Sequence, residues 1–165
     1  MNKNKKLATL ALTIAFALIL SFIESKIPPL VSIPGIKVGL ANIAVIFTLY
    51  KFGVRSAIIV SIIRVLLVSM MFGTGVSLIY SLSGAILSLS VMVILKKLTP
   101  LREVAVSVVG GVMHNVGQIA AASFMLSTNV VVYYLPFLLV SGTIAGIVVG
   151  IASAILVKRI KFKYQ

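Results

Sequence analysis

Four polar side chains stand inside long apolar runs, and they are the first candidates for chemistry. Arg64 lies in the middle of Ser56–Phe72. A charge at that depth costs at least about 3 kcal/mol and is usually functional. His114 lies in the middle of Val104–Met125, with Asn115 beside it and Gln118 four residues on. The spacing of four puts His114 and Gln118 on one helical face. Gly110, Gly111 and Gly117 thin the same run. Glycine weakens a helix, so their presence predicts close approach by a helix or a ligand. Asn42 is the main polar side chain of another apolar run and follows Lys37 and Gly39; Ser61 precedes Arg64 by one turn. The acids are Glu24 and Glu103, with no aspartate, and both lie near ends of apolar runs. Neither is an obvious partner for Arg64. An unmatched cation beside a polar cluster predicts a site for an anionic or strongly hydrogen-bonding ligand. The candidate set is Lys37, Asn42, Arg64, His114, Asn115 and Gln118, with Glu24 as an outlying member.

Each candidate also has a structural reading. Arg64 serves equally as a strut bonded to backbone carbonyls, and Asn42 as an interhelical hydrogen bond. Lys37 fits a snorkelling residue at a membrane interface. Glu24 fits a partner for Lys26 or Lys37. The set is poor for catalysis. One histidine and two distant glutamates make no metal site, which needs several ligands within reach. A serine nucleophile using His114 as base lacks an acidic orienter. No glycine-rich phosphate loop with its lysine is present, so ATP hydrolysis by that route falls to another protein. The sequence thus predicts a protein that is not an enzyme and carries no cofactor.

Those residues need elements to hold them, and the composition says which. Of the 165 residues 61% are hydrophobic and 10% charged, with a mean hydropathy of +1.23. That is the composition of a polytopic membrane protein forming one domain over residues 1–165. Six spans are expected: Leu7–Ile23, Val38–Tyr50, Ser56–Phe72, Val76–Leu95, Val104–Met125 and Tyr134–Val157, each approaching the length a bilayer demands. The second is short. Its approach carries Pro28, Pro29, Pro34 and Gly35, which bar a regular helix, so residues 25–37 read as a loop that dips into the fold and caps a site.

The net charge of +13 resides in short clusters between apolar runs. Lys3, Lys5, Lys6, Lys51, Arg55, Lys96, Lys97, Arg102, Lys158, Arg159, Lys161 and Lys163 fall on one side of a six-span topology, and only Lys26 and Lys37 on the other. The positive-inside rule then places both termini in the cytoplasm. The clusters are explained by membrane lipid rather than nucleic acid. Zero cysteines exclude disulfides and thiol chemistry.

Three stripes of small residues bear on packing. Gly142, Gly146, Gly150 and Ala154 recur every fourth residue, which favours close internal packing of the last span. Ser77, Ser81, Gly84 and Ser88 share one face of the fourth; their hydroxyls either line a site or bond their own backbone. Ala8, Ala11 and Ala15 share a face of the first, and spacing alone favours internal packing over docking of a partner. Tyr133 and Tyr134 read as interface belt residues.

Several stretches carry a resemblance: Pro34-Gly35-Ile36-Lys37-Val38-Gly39-Leu40-Ala41-Asn42-Ile43, Arg64-Val65-Leu66-Leu67, His114-Asn115-Val116-Gly117-Gln118, and Tyr134-Leu135-Pro136 followed by Ser141-Gly142. Together they resemble the small membrane family labelled "Gx transporter" or "heptaprenyl diphosphate synthase component I". That family is in turn similar to the substrate-binding S components of energy-coupling factor (ECF) transporters. The resemblance implies an all-α, six-helix protein of a prokaryotic cytoplasmic membrane that captures a small vitamin-, quinone- or isoprenoid-related molecule. Import would be driven by partners, an ECF T subunit and two ATPase subunits. It also implies that Ala11 and Ala15, with Ala8, face the T subunit, and that Ser25–Lys37 lids the site. The synthase label implies the alternative of a membrane subunit that binds or processes a prenyl diphosphate. Prenyl diphosphate synthases resemble one another in aspartate-rich motifs, which this chain lacks. A purely structural subunit, with Arg64 as a strut, is the remaining rival.

Overall fold

The computed structural model describes residues 3–26, 39–128 and 130–160. Lys37 and most of the expected lid, residues 27–37, lie outside them, as do Lys161 and Lys163. The described chain is all-α: α1 Lys3–Ser25, α2 Asn42–Phe52, α3 Val54–Phe72, α4 Gly75–Leu98, α5 Glu103–Leu126, a short 3₁₀ turn Val130–Tyr134, and α6 Leu135–Arg159. All but α2 are long and apolar enough to cross a bilayer. The protein is therefore a multi-pass membrane protein.

The second expected span is the one that changes. It begins at Asn42 rather than Val38, and its 11 residues rise only about 17 Å, against a hydrocarbon core of about 30 Å. Ile43 to Leu49 are buried without a break. A helix apolar and buried all round belongs inside a bundle, and α2 is that central element, packed on α1, α3 and α6 and touching α5. Its ends are set by two glycines in the left-handed region. Gly53 (φ 85°) is the single residue between α2 and α3. Gly39 (φ 89°) opens the turn into α2, and a Cβ there would also lie 2.9 Å from Asn42 Nδ2. Any other residue at Gly39 is strained twice over.

The main core cluster joins Ile43, Ile46 and Leu49 of α2 to Ala57, Leu89, Met92, Val106 and Val149. Helices α4, α5 and α6 form an antiparallel layer held by glycine. A Cβ on Gly146 would fall 2.6 Å from Val108 Cα, and one on Gly150 2.8 Å from Val104 Cα. The expected internal packing of the α6 stripe is what the structure contains. The α5 glycines likewise admit helices rather than a ligand: Gly110 faces Met92, Gly111 faces Gly142, and Gly117 faces Ser83 and Gly84.

The serine face of α4 divides its work. Ser77 forms a reciprocal capping box with Thr74, and Ser88 Oγ donates to Gly110 O at 2.8 Å. On α1 the spacing argument is overturned. The buried face is Thr13, Ala17, Ser21 and Glu24, while Ala8, Ala11 and Ala15 are exposed. Of that buried face, Glu24 bonds across the bundle to Gly39 N–H, while the Thr13 hydroxyl donates to Thr9 O of its own helix.

Helix directions gather the charges. The α2 C-terminus meets the end of α4, where Lys96 Nζ donates to Leu49 O and stands 4.8 Å from the Tyr50 ring centroid. Tyr50 Oη donates to Leu101 O between α4 and α5. The α6 C-terminus runs back beside the start of α5. Phe22 near the end of α1 packs on Phe72 at the end of α3, centroids 5.5 Å apart, so α1 starts where α3 starts. Lys3, Lys5, Lys6, Lys51, Arg55, Lys96, Lys97, Arg102, Lys158 and Arg159 thus share one end of the bundle. Lys26 lies at the other, over the Phe22 ring.

Candidate functional site

Arg64 projects from the inner face of α3, only 7% exposed. It borders a small cavity walled by Ser21 and Glu24 of α1, Gly39, Val65 and Val68 of α3, Ser81 of α4, and His114 and Gln118 of α5. The cavity measures about 30 Å³, room for one or two water molecules or the end group of a ligand. Its walls come from the half of the bundle remote from the basic end.

The guanidinium is held loosely. One nitrogen, Nη2, donates to Asn42 Oδ1 at 3.3 Å, and Nε has no hydrogen-bond partner among the described residues. Among the described residues the guanidinium donates to no backbone carbonyl. The fold also supplies what seemed missing from the sequence. Glu24, at the end of α1, faces the same cavity and attracts Arg64 electrostatically. The Glu24 carboxylate in turn accepts from Gly39 N–H. Gly39, Glu24, Arg64 and Asn42 therefore form one relay that ties the end of α1 and the entry to α2 onto the middle of α3.

His114 is buried, its ring packed on Gly84, and its Nδ1 has no partner among the described residues. Gln118 is 1% exposed on the same face. The guanidinium, the imidazole and the amide on this interior surface are groups that can donate to an anion or a polar carbonyl. The hydroxyls of Ser21 and Ser81 add to it.

The structure brings together Glu24, Arg64, His114 and Gln118 of the expected set. Asn42 reaches the site through Arg64 and lines a separate, smaller space with Ser88 and Ser107. Asn115 is not part of it. Its Nδ2 donates to Leu138 O of α6 at 2.7 Å, so it is an interhelical tie. Neighbouring residues on a helix point in different directions, and with His114 facing the cavity Asn115 cannot. Ser21, Gly39 and Ser81 were absent from the expected set. A buried serine looks the same in sequence whether it lines a cavity or bonds its own helix, and only Ser81, on a recognised polar stripe, carried a signal.

The fold and this interior site define a class: a multi-pass helical membrane protein with a polar, charged pocket enclosed by its helices. Within that class the chain belongs to the family described as heptaprenyl diphosphate synthase component I, whose model matches residues 13–156. The match spans all six helices and every cavity residue. No curated protein and no solved structure matches the chain significantly.

Proposed function

We propose that this protein is the substrate-capturing subunit of a multi-component membrane system, of the ECF S-component kind, and that it takes an anionic isoprenoid-related molecule. The observation that carries the reading is the cavity beside Arg64. A cation, an acid, an imidazole and an amide face a common space inside the bundle. Burying such groups is costly, and a ligand that uses them is the economical reason to keep them. The family's name, a component of a prenyl diphosphate synthase, supports the isoprenoid class and a setting with partner subunits. The exposed Ala8, Ala11 and Ala15 face on α1 suits close approach by a partner helix.

Capture without turnover is the better reading. The second acid, Glu103, stands at the start of α5 at the basic end, paired with Arg102 at 4.0 Å. It is far from Glu24, so no carboxylate pair converges to hold magnesium on a diphosphate. The reading of a prenyl-processing subunit is favoured by the family name alone.

The test is mass spectrometry of small molecules that co-purify with the full chain and with Arg64→Ala. An anionic prenyl compound should accompany the natural chain and fall at least about tenfold in the variant. The variant should still migrate as a folded monodisperse species. Equal ligand in both proteins defeats the proposal. Loss of melting temperature with no ligand in either protein identifies Arg64 as a strut.

A further inference from the structure

The cavity beside Arg64 is too small for a whole metabolite, since ligand pockets usually enclose several hundred cubic ångströms. A second space adjoins it. Between α3 and α4 lies a cleft of about 380 Å³ that opens on the outer, lipid-facing side. Its walls are almost wholly apolar, with Ile58 and Ile62 on α3 and Leu82, Ala85, Leu89 and Val93 on α4. On α4 the lining runs from Leu82 to Ile94, about 18 Å of helix. Its inner end lies one helical turn from the cavity walls on both helices. Ser61 lines the cleft and stands one turn before Arg64, while Val65 lines the cavity. On α4, Ala85 lines the cleft and Ser81, one turn before it on the same face, lines the cavity. Its other end, at Val54 and Ile94, reaches the basic end of the bundle.

The shape decides the occupant. About 380 Å³ spread along about 18 Å of helix leaves a cross-section of roughly 20 Å², far less than that of a helix with its side chains, about 10–12 Å across. A partner helix would lie over the cleft and leave it unfilled. An extended single chain fits inside. An ordinary bilayer lipid keeps its headgroup at the interface, whereas the charged end here is Arg64, eight residues or about 12 Å short of the end of α3. The occupant is therefore a single-chain amphiphile whose anionic end sits at depth.

We propose that the cleft between α3 and α4 seats the prenyl chain of a ligand whose phosphate end enters the cavity beside Arg64. This rests on the reading of that cavity as an anion site. The open side of the cleft leaves the seated chain in apolar surroundings on every side.

The experiment uses the full chain in detergent micelles and measures binding of farnesyl phosphate and dimethylallyl phosphate, which share a head and differ in chain length. Farnesyl phosphate should bind at least about tenfold more tightly, from the added apolar burial. Ile58→Trp with Ser90→Trp fills the cleft from its exposed rim. It should reduce that ratio to about twofold or less and leave dimethylallyl phosphate unchanged. Ala85→Leu fills it from within and should act the same way if the double variant fails to fold. Equal binding of both probes to the natural chain, or a ratio that survives filling, overturns the chain seat while the anion site stands. Retention of both probes by Arg64→Gln overturns the anion site itself. If neither probe binds the natural chain, both readings fall.

Discussion

Glu24 is the residue whose role changed most between sequence and structure. In the sequence it closes an apolar run and reads as a partner for Lys26 or Lys37. In the fold it is the resident counter-charge of Arg64, and it accepts a backbone hydrogen bond from Gly39. An anionic ligand must compete with it for the guanidinium. Glu24→Gln keeps an acceptor for Gly39 and removes the competing charge, so farnesyl phosphate should bind about tenfold more tightly. Asn115→Ala should leave that affinity within about twofold but lower stability by roughly 1 kcal/mol, because it deletes the bond to Leu138 O. Titration calorimetry and thermal unfolding separate the two effects. Arg64, His114 and Gln118 were legible in the sequence because a polar residue inside an apolar run has few innocent explanations. Glu24 was not, because its position depends on how the chain returns from the end of α1 to Gly39. Asn115 looked like a site residue only because it adjoins His114, and adjacency along a helix is not adjacency in space.

At the scale of elements, small residues do opposite things on α1 and α6. The α6 glycines are consumed by α5, where backbone meets backbone. The α1 alanines face outward, and the buried stripe lies on the Thr13, Ala17, Ser21 and Glu24 side. Spacing by four announces a stripe in both cases but does not say which side is the interior. On α1 the inward side carries Glu24, which bonds to Gly39 N–H. The two stripes should therefore respond differently to bulk. Gly146→Ala places a Cβ against Val108 Cα and should cost about 1–3 kcal/mol, seen as a lower melting temperature. Ala11→Trp with Ala15→Trp points into lipid and should leave melting unchanged, yet should abolish co-purification with a T-type partner subunit. Undiminished recovery of the partner would remove the docking role from this face. The shortness of α2 was legible from the prolines and Gly35 before it. Its central position was not, since only the packing of α1, α3 and α6 around Ile43 to Leu49 makes an apolar run a core.

For the whole molecule, ten described basic residues belong to four separate segments of sequence, and the fold collects them at one end of the bundle, with Lys26 at the other. The pocket walls lie in the half towards Lys26. Cytoplasmic loops retain lysine and arginine, so the orientation expected from this arrangement has the basic end inside and the pocket outward, which capture from outside requires. The absence of cysteine from the chain makes the orientation directly measurable. Single substitutions Lys26→Cys, Arg55→Cys and Lys97→Cys each introduce one thiol at a known end. In intact bacterial cells a membrane-impermeant maleimide should label Lys26→Cys alone, and the other two only after the membrane is opened. Labelling of Arg55→Cys and Lys97→Cys in intact cells, with Lys26→Cys protected, would invert the molecule and make the pocket face the cytoplasm. It would then receive a product made inside the cell, and the prenyl-processing reading would displace capture from outside.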